Sequence, residues 1–177
     1  MPERQSDILS RASDKNVLNT FHPEKMTVDE FAFRIIDGDR KLNIVDLRSK
    51  EDFTQMSLPN SVNMNYENLF GKDAAKTFSK KNASYVIIAN TEDEETKAAY
   101  IAREIGYENV YVLSDGMNGF RDNVINFKAP QNIGTRHESD LYKFREKASI
   151  LIPEIIKENK NKGVQENKES KRALGGC

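Results

Sequence analysis

The sequence is poor in the residues on which disulfide, metal and membrane chemistry depend. It has one cysteine, Cys177, at the last position, so no disulfide can close within the chain and that thiol could pair only with another molecule. Its two histidines, His22 and His137, show no ligand spacing with Cys, Asp or Glu, so neither a metal centre nor a cofactor is expected. No run of about 18 apolar residues occurs, which excludes a spanning helix of ordinary type. The first residues, MPERQSDILSRASDKNVLNTF, lack the apolar stretch of a signal peptide, and the expected compartment is the cytoplasm. Neither sign of charge is in excess: 27 Lys and Arg face 28 Asp and Glu, a net charge of -1, so composition does not point to nucleic acid or an anionic membrane.

What is there is one domain's worth of alternating pattern, because 177 residues suffice for a single core with appended material. Residues 1–21 form a polar leader, expected to be mobile or loosely docked. TVDEFAFRIIDG then carries a Thr cap three residues before Glu30, places Phe31, Ile35 and Ile36 on one helical face, and stops at Gly38. Strands are expected at Leu42 to Arg48, Ser61 to Tyr66, within SYVIIAN (Ser84 to Asn90) and at Glu108 to Gly116, separated by helical segments. That alternation predicts an α/β fold: a parallel sheet of about five strands with helices on both faces. Ligands of such sheets sit at the carboxyl ends of the strands.

A Pro, Gly and Asn linker over 128–137 leads to a helix over 138–157, in which Leu141, Phe144, Ala148 and Leu151 recur at helical spacing and Pro153 kinks or restarts the helix. The helix packs on the domain or, through ILIPEII, pairs two copies of the chain. Residues 158–177 form a basic tail expected to be disordered. As a coil it would span about 25 Å, enough to bring Cys177 to the strand ends of a small domain.

The residues of the folded part resemble the single-domain rhodanese-like family, shared by sulfurtransferases and cell-cycle dual-specificity phosphatases. The resemblance covers residues 23–125. IVDLRSKEDFTQMSLPNSVNM is similar to the family's first signature, with Asp46, Arg48, Glu51, Phe53, Pro59 and Asn63 on matching positions. GYENVYVLSDGMNGF is similar to the second, with Gly106, Asn109, Val110, Gly116, Gly119 and Phe120 on it. The family's Pro-Gly-Ala is Pro59-Asn60-Ser61 here, and its Gly-Gly turn is Asp115-Gly116. By resemblance, Arg48 orders its neighbouring loop through carboxylates such as Glu51.

The main departure lies between SYVII and the next helix, where the family's active loop begins with a nucleophilic cysteine. Here that position is Ala89 or, shifted by one, Asn90, and neither can carry a sulfane sulfur or a phosphoryl group. The phosphatase Cys-x5-Arg loop has neither end. An active loop gathers amides and usually an Arg around an anion, whereas this one supplies Glu92, Asp93, Glu94 and Glu95. Thr91 with Glu94 reads as a capping box; the alternative is a loop that binds something cationic or neutral.

The expected ligand surface is therefore Arg48, Ala89, Asn90, Thr91, Glu92, Asp93, Glu94, Glu95, Asp115 and Gly116, with Asp46, Glu51, Pro59 and Asn63 as its scaffold. The resemblance without its cysteine implies a catalytically silent binding or regulatory module, linked to sulfur metabolism by family alone, with an unidentified protein partner. Its second implication is a sulfurtransferase or sulfur carrier that uses Cys177, and dimers through Cys177 or the C-terminal helix remain open.

Overall fold

The computed structural model describes residues 2–132 and 134–174. Five parallel strands, β1 (Glu24–Met26), β2 (Leu42–Asp46), β3 (Ser61–Asn63), β4 (Ser84–Ile88) and β5 (Val110–Leu113), lie in the order β1-β5-β4-β2-β3. Every pairing is parallel, and the register sets Asp46 beside both Ile88 and Asn63. Adjacent side chains on the central strands divide between two cores because successive residues of a strand point to opposite faces. Val45, Tyr85 and Ile87 enter one core, whereas Ile44, Val86 and Ile88 enter the other. The two central strands are thus buried on both sides, which is why β4 reads as an almost continuous apolar run and β2 buries even Asn43 and Asp46.

One core is closed by α5 (Lys72–Thr77) and α6 (Glu92–Ile105), whose Ala98, Ile101 and Ala102 are fully buried. The other is closed by α3 (Val28–Ile36), α7 (Gly116–Phe120) and α8 (Arg136–Leu174). In α3 the Thr27 hydroxyl accepts the Glu30 N–H, Phe31 and Ile35 face the core, and Gly38 leaves the helix at φ 67°. Burying an aliphatic side chain such as Ile87 stabilises the fold by about 1.5–3 kcal/mol.

Three elements differ from the sequence expectations. The leader is not a loose arm: α1 (Pro2–Arg11) and α2 (Lys15–Thr20) pack on α6. Ile8 and Ala12 are buried there, Arg4 donates to the Glu104 carbonyl at 3.0 Å, and Phe21 meets Tyr100 edge-on at 5.5 Å. Its apolar stripe is one turn long, too short to stand out from a polar background. Strand β1 was also hidden, because two of its three residues are Glu24 and Lys25.

The third difference is in α8, which passes through Pro153 without an end and continues to Leu174 beyond the expected helix over 138–157. Its core stripe is Phe144, Ala148, Ile152, Ile155 and Ile156, with Leu141 and Leu151 only half-buried. A two-toothed ion pair, Arg145 Nε and Nη2 to the Asp29 carboxylate at 2.8 and 2.7 Å, fastens α8 to α3. Packing on the domain is therefore this helix's structural role, and no helix among the described residues is long and apolar enough to cross a membrane.

Candidate functional site

Strand β4 ends at Ile88 and α6 begins at Glu92, so only Ala89, Asn90 and Thr91 bridge them. All three backbone N–H groups are taken by carboxylates of the same chain. Ala89 donates to Glu95 Oε1 at 3.1 Å, while Asn90 and Thr91 donate to Glu94 Oε2 at 3.1 and 3.2 Å. The Thr91 hydroxyl in turn accepts the Glu94 N–H at 3.2 Å, so both halves of the capping box form as the T-x-x-E spacing predicts.

Glu95 is unlike its neighbours. It is fully buried, and its Oε2 has no hydrogen-bond partner among the described residues. Removal from water pushes its carboxyl up to about 8; the Ala89 N–H works against this, Glu92 and Glu94 add to it by repulsion, and Lys25 opposes it by attraction. At neutral pH it is therefore mainly a neutral acid, and the loop carries one negative charge fewer than the run Glu92 to Glu95 suggests.

The Asp115-Gly116 turn lies against this carboxyl. A Cβ on Gly116 would stand 3.7 Å from Glu95 Oε1, and Gly116 itself has φ 60°. Asp115, where the resemblance puts a glycine, has φ 61°, and Asn60, at the other such position, has φ 56°. Asn and Asp are the residues that tolerate left-handed backbone best after glycine, so both positions adopt it without one.

Lys25 comes from β1 and forms an ion pair with Glu92 at the mouth of the site, which raises the lysine's own affinity for its proton. No local signal marked it, because it is 67 positions from its partner. Tyr66 was likewise missed: its hydroxyl donates to the Glu94 carbonyl at 3.1 Å, and burial pushes it well above the usual tyrosine range. Beside Glu92 and Asp93 a cleft of about 410 Å³ opens, with Leu18, Phe21, His22 and Pro23 on its other wall.

Arg48 does not belong to this surface in the way expected. It is buried and turned onto Asp46, with Nη2 at 2.7 Å from Oδ2, Nε at 3.0 Å from Oδ1, and Nη2 donating to the Met56 carbonyl at 2.8 Å. Glu51, expected as its carboxylate, is exposed on α4 (Lys50–Gln55). Asp46 wins because it is two residues away at the end of β2, where a bidentate pair closes without ordering an extra side chain. Asn63 completes the corner by donating to the Asp46 and Arg48 carbonyls at 3.0 and 2.9 Å. Pro59 follows the buried Leu58 and precedes the left-handed Asn60.

The model of the rhodanese-like domain matches residues 27–123 of this chain. The chain belongs to the rhodanese-like family. It is thereby related to sulfurtransferases. An uncharacterised protein of Buchnera aphidicola subsp. Baizongia pistaciae is 33% identical over 92 residues, covering 51% of this chain and 63% of its own length. A protein from Anabaena of known structure is similar at 18% identity, with 73% of this chain and 98% of that one covered and a TM-score of 0.49. A single-domain sulfurtransferase from Saccharomyces cerevisiae is similar at 19% identity, with 57% and 90% covered and a TM-score of 0.45.

The two positions at the head of the loop between β4 and α6, Ala89 and Asn90, are a buried and an exposed residue, and neither is a cysteine. Cys177 lies outside the described residues. Among the described residues no group of three His, Cys, Asp or Glu side chains could hold a metal ion.

Proposed function

We propose that this chain is a rhodanese-like domain without sulfur-transfer chemistry in its loop, working as a binding or regulatory module. One observation carries this: the amides of Ala89, Asn90 and Thr91, which in an anion-binding loop would face a ligand, are already satisfied by Glu94 and Glu95. A persulfide or thiosulfate would have to displace the side chains of Glu94 and Glu95 and then meet Glu92, Asp93 and Asp115. The loop's amides are thus occupied by the chain's own Glu94 and Glu95 side chains. The open face for a protein partner is the cleft between Glu92, Asp93 and the Phe21 to Pro23 segment.

The test is intact-mass spectrometry of the full chain and of Cys177→Ser after exposure to thiosulfate, with cyanide-dependent thiocyanate release measured in parallel. Neither protein is expected to gain sulfur or turn over. Sulfur gained by the wild type alone, with turnover, would make Cys177 the carrier and replace this proposal. Sulfur transfer retained in Cys177→Ser would overturn it outright.

A further inference from the structure

The two oxygens of Glu95 are in unequal positions. Oε1 accepts the Ala89 N–H, whereas Oε2 is sealed from solvent with no donor. A neutral carboxyl bears a smaller cost in such a place than a carboxylate, for which relief comes through water entry or movement. The Asp115-Gly116 turn stands beside this carboxyl, where a Cβ on Gly116 would lie 3.7 Å from Oε1 and 3.9 Å from Oε2. That turn is built on two consecutive left-handed residues, Asp115 and Gly116, at φ 61° and 60°.

The charged and titratable groups around Glu95 come from several elements. Glu92 and Glu94 act from its own helix, Lys25 from β1, and Tyr66 from the segment before the 3₁₀ turn Glu67–Phe70. Asp115, on the facing turn, acts on Lys25. Lys25 and Tyr66 are both pushed upward from ranges that already start near or above pH 10, so neither changes charge near neutrality.

We propose that Glu95 is a pH-sensitive latch across the strand-end cleft: as a neutral acid it keeps the first turn of α6 closed against the Asp115-Gly116 turn, and as a carboxylate it opens that seam to water. The proposal rests on the reading of this loop as filled by the chain's own carboxylates, and it adds the condition under which the filling loosens. A partner docked on the cleft would meet a closed seam at neutral pH and an open one in alkaline solution.

The experiment is an NMR titration of the full chain from about pH 5 to about pH 10, following glutamate side-chain carboxyl carbons together with the Ala89 and Gly116 amides. The expected result is a single glutamate titrating at about 8, with both amides moving at the same midpoint, and loss of both events in Glu95→Gln. Glu92→Gln should leave the event in place at a lower midpoint, since it removes a repelling charge. The proposal is overturned by Glu95 titrating in the ordinary carboxylate range, or by a Gly116 amide that does not move through the Glu95 midpoint. Should Glu95→Gln fail to fold, the wild-type titration alone decides. Sulfur transfer in the mass experiment would break the functional reading and leave this titration readable.

Discussion

Two buried acids sit at the carboxyl ends of neighbouring strands, and they have been treated in opposite ways. Asp46, at the end of β2, has both oxygens bound by Arg48, with Asn63 satisfying the adjoining carbonyls. Glu95, beneath the end of β4, has one oxygen on Ala89 and one on nothing. The first corner is a closed account of charges and donors, as a scaffold requires. The second leaves a buried polar atom without a partner among the described residues, a feature that occurs only a few times per hundred residues in native structures.

The sharpest way to test the contrast is stability against pH. Glu95 is pushed up from 4.5 to about 8 by burial, so its folded form holds a proton that the unfolded form releases. That contribution is whole below the unfolded value and is lost as pH rises through the folded one, at most about 5 kcal/mol across the interval. Urea unfolding should therefore show wild type losing stability from about pH 5 to about pH 8, while Glu95→Gln loses much less and is the more stable protein at the alkaline end. Equal slopes in the two proteins would remove the distinction between the corners.

The satisfied corner should respond to deletion, not to pH. Arg48→Ala leaves Asp46 buried without its cation and is expected to cost about 3–5 kcal/mol, read as a lowered thermal midpoint. A loss below about 1 kcal/mol would mean that water reaches Asp46 and that this pair is no better sealed than an exposed one. The smallest effect belongs to the cap that holds the loop. Thr91→Ala removes the acceptor of the Glu94 N–H and should cost about 1 kcal/mol in denaturant unfolding, with faster amide exchange at Asn90 and Thr91 as Glu94 loses its hold.

Much of the fold was legible because its signals are local. The Thr27 and Thr91 caps, the i, i+3, i+4 face of α6 and the apolar run of β4 each need only a few neighbouring residues to declare themselves. The absence of a loop cysteine was legible for the same reason. The site was read less well. Of the expected surface, Ala89, Glu95 and Gly116 do meet, whereas Arg48 is committed to Asp46 and Glu51 stands exposed. The leader and β1 gave almost no periodic signal, since each contributes only one or two buried side chains to a core supplied by others.

Sequence alone determined the parallel α/β pattern, the capped α6, and the presence of Ala89 or Asn90 where the resemblance puts a nucleophilic cysteine. These follow from steric and hydrogen-bonding preferences that act within a turn or two of chain. Only the tertiary structure decided which of four consecutive acids would be buried beside Gly116, that its second oxygen would have no donor among the described residues, and that Lys25 would answer Glu92 across the sheet edge. Burial and charge pairing depend on what distant segments place around a group, and the electrostatic cost of a carboxylate is set by that surrounding medium more than by its neighbours in sequence.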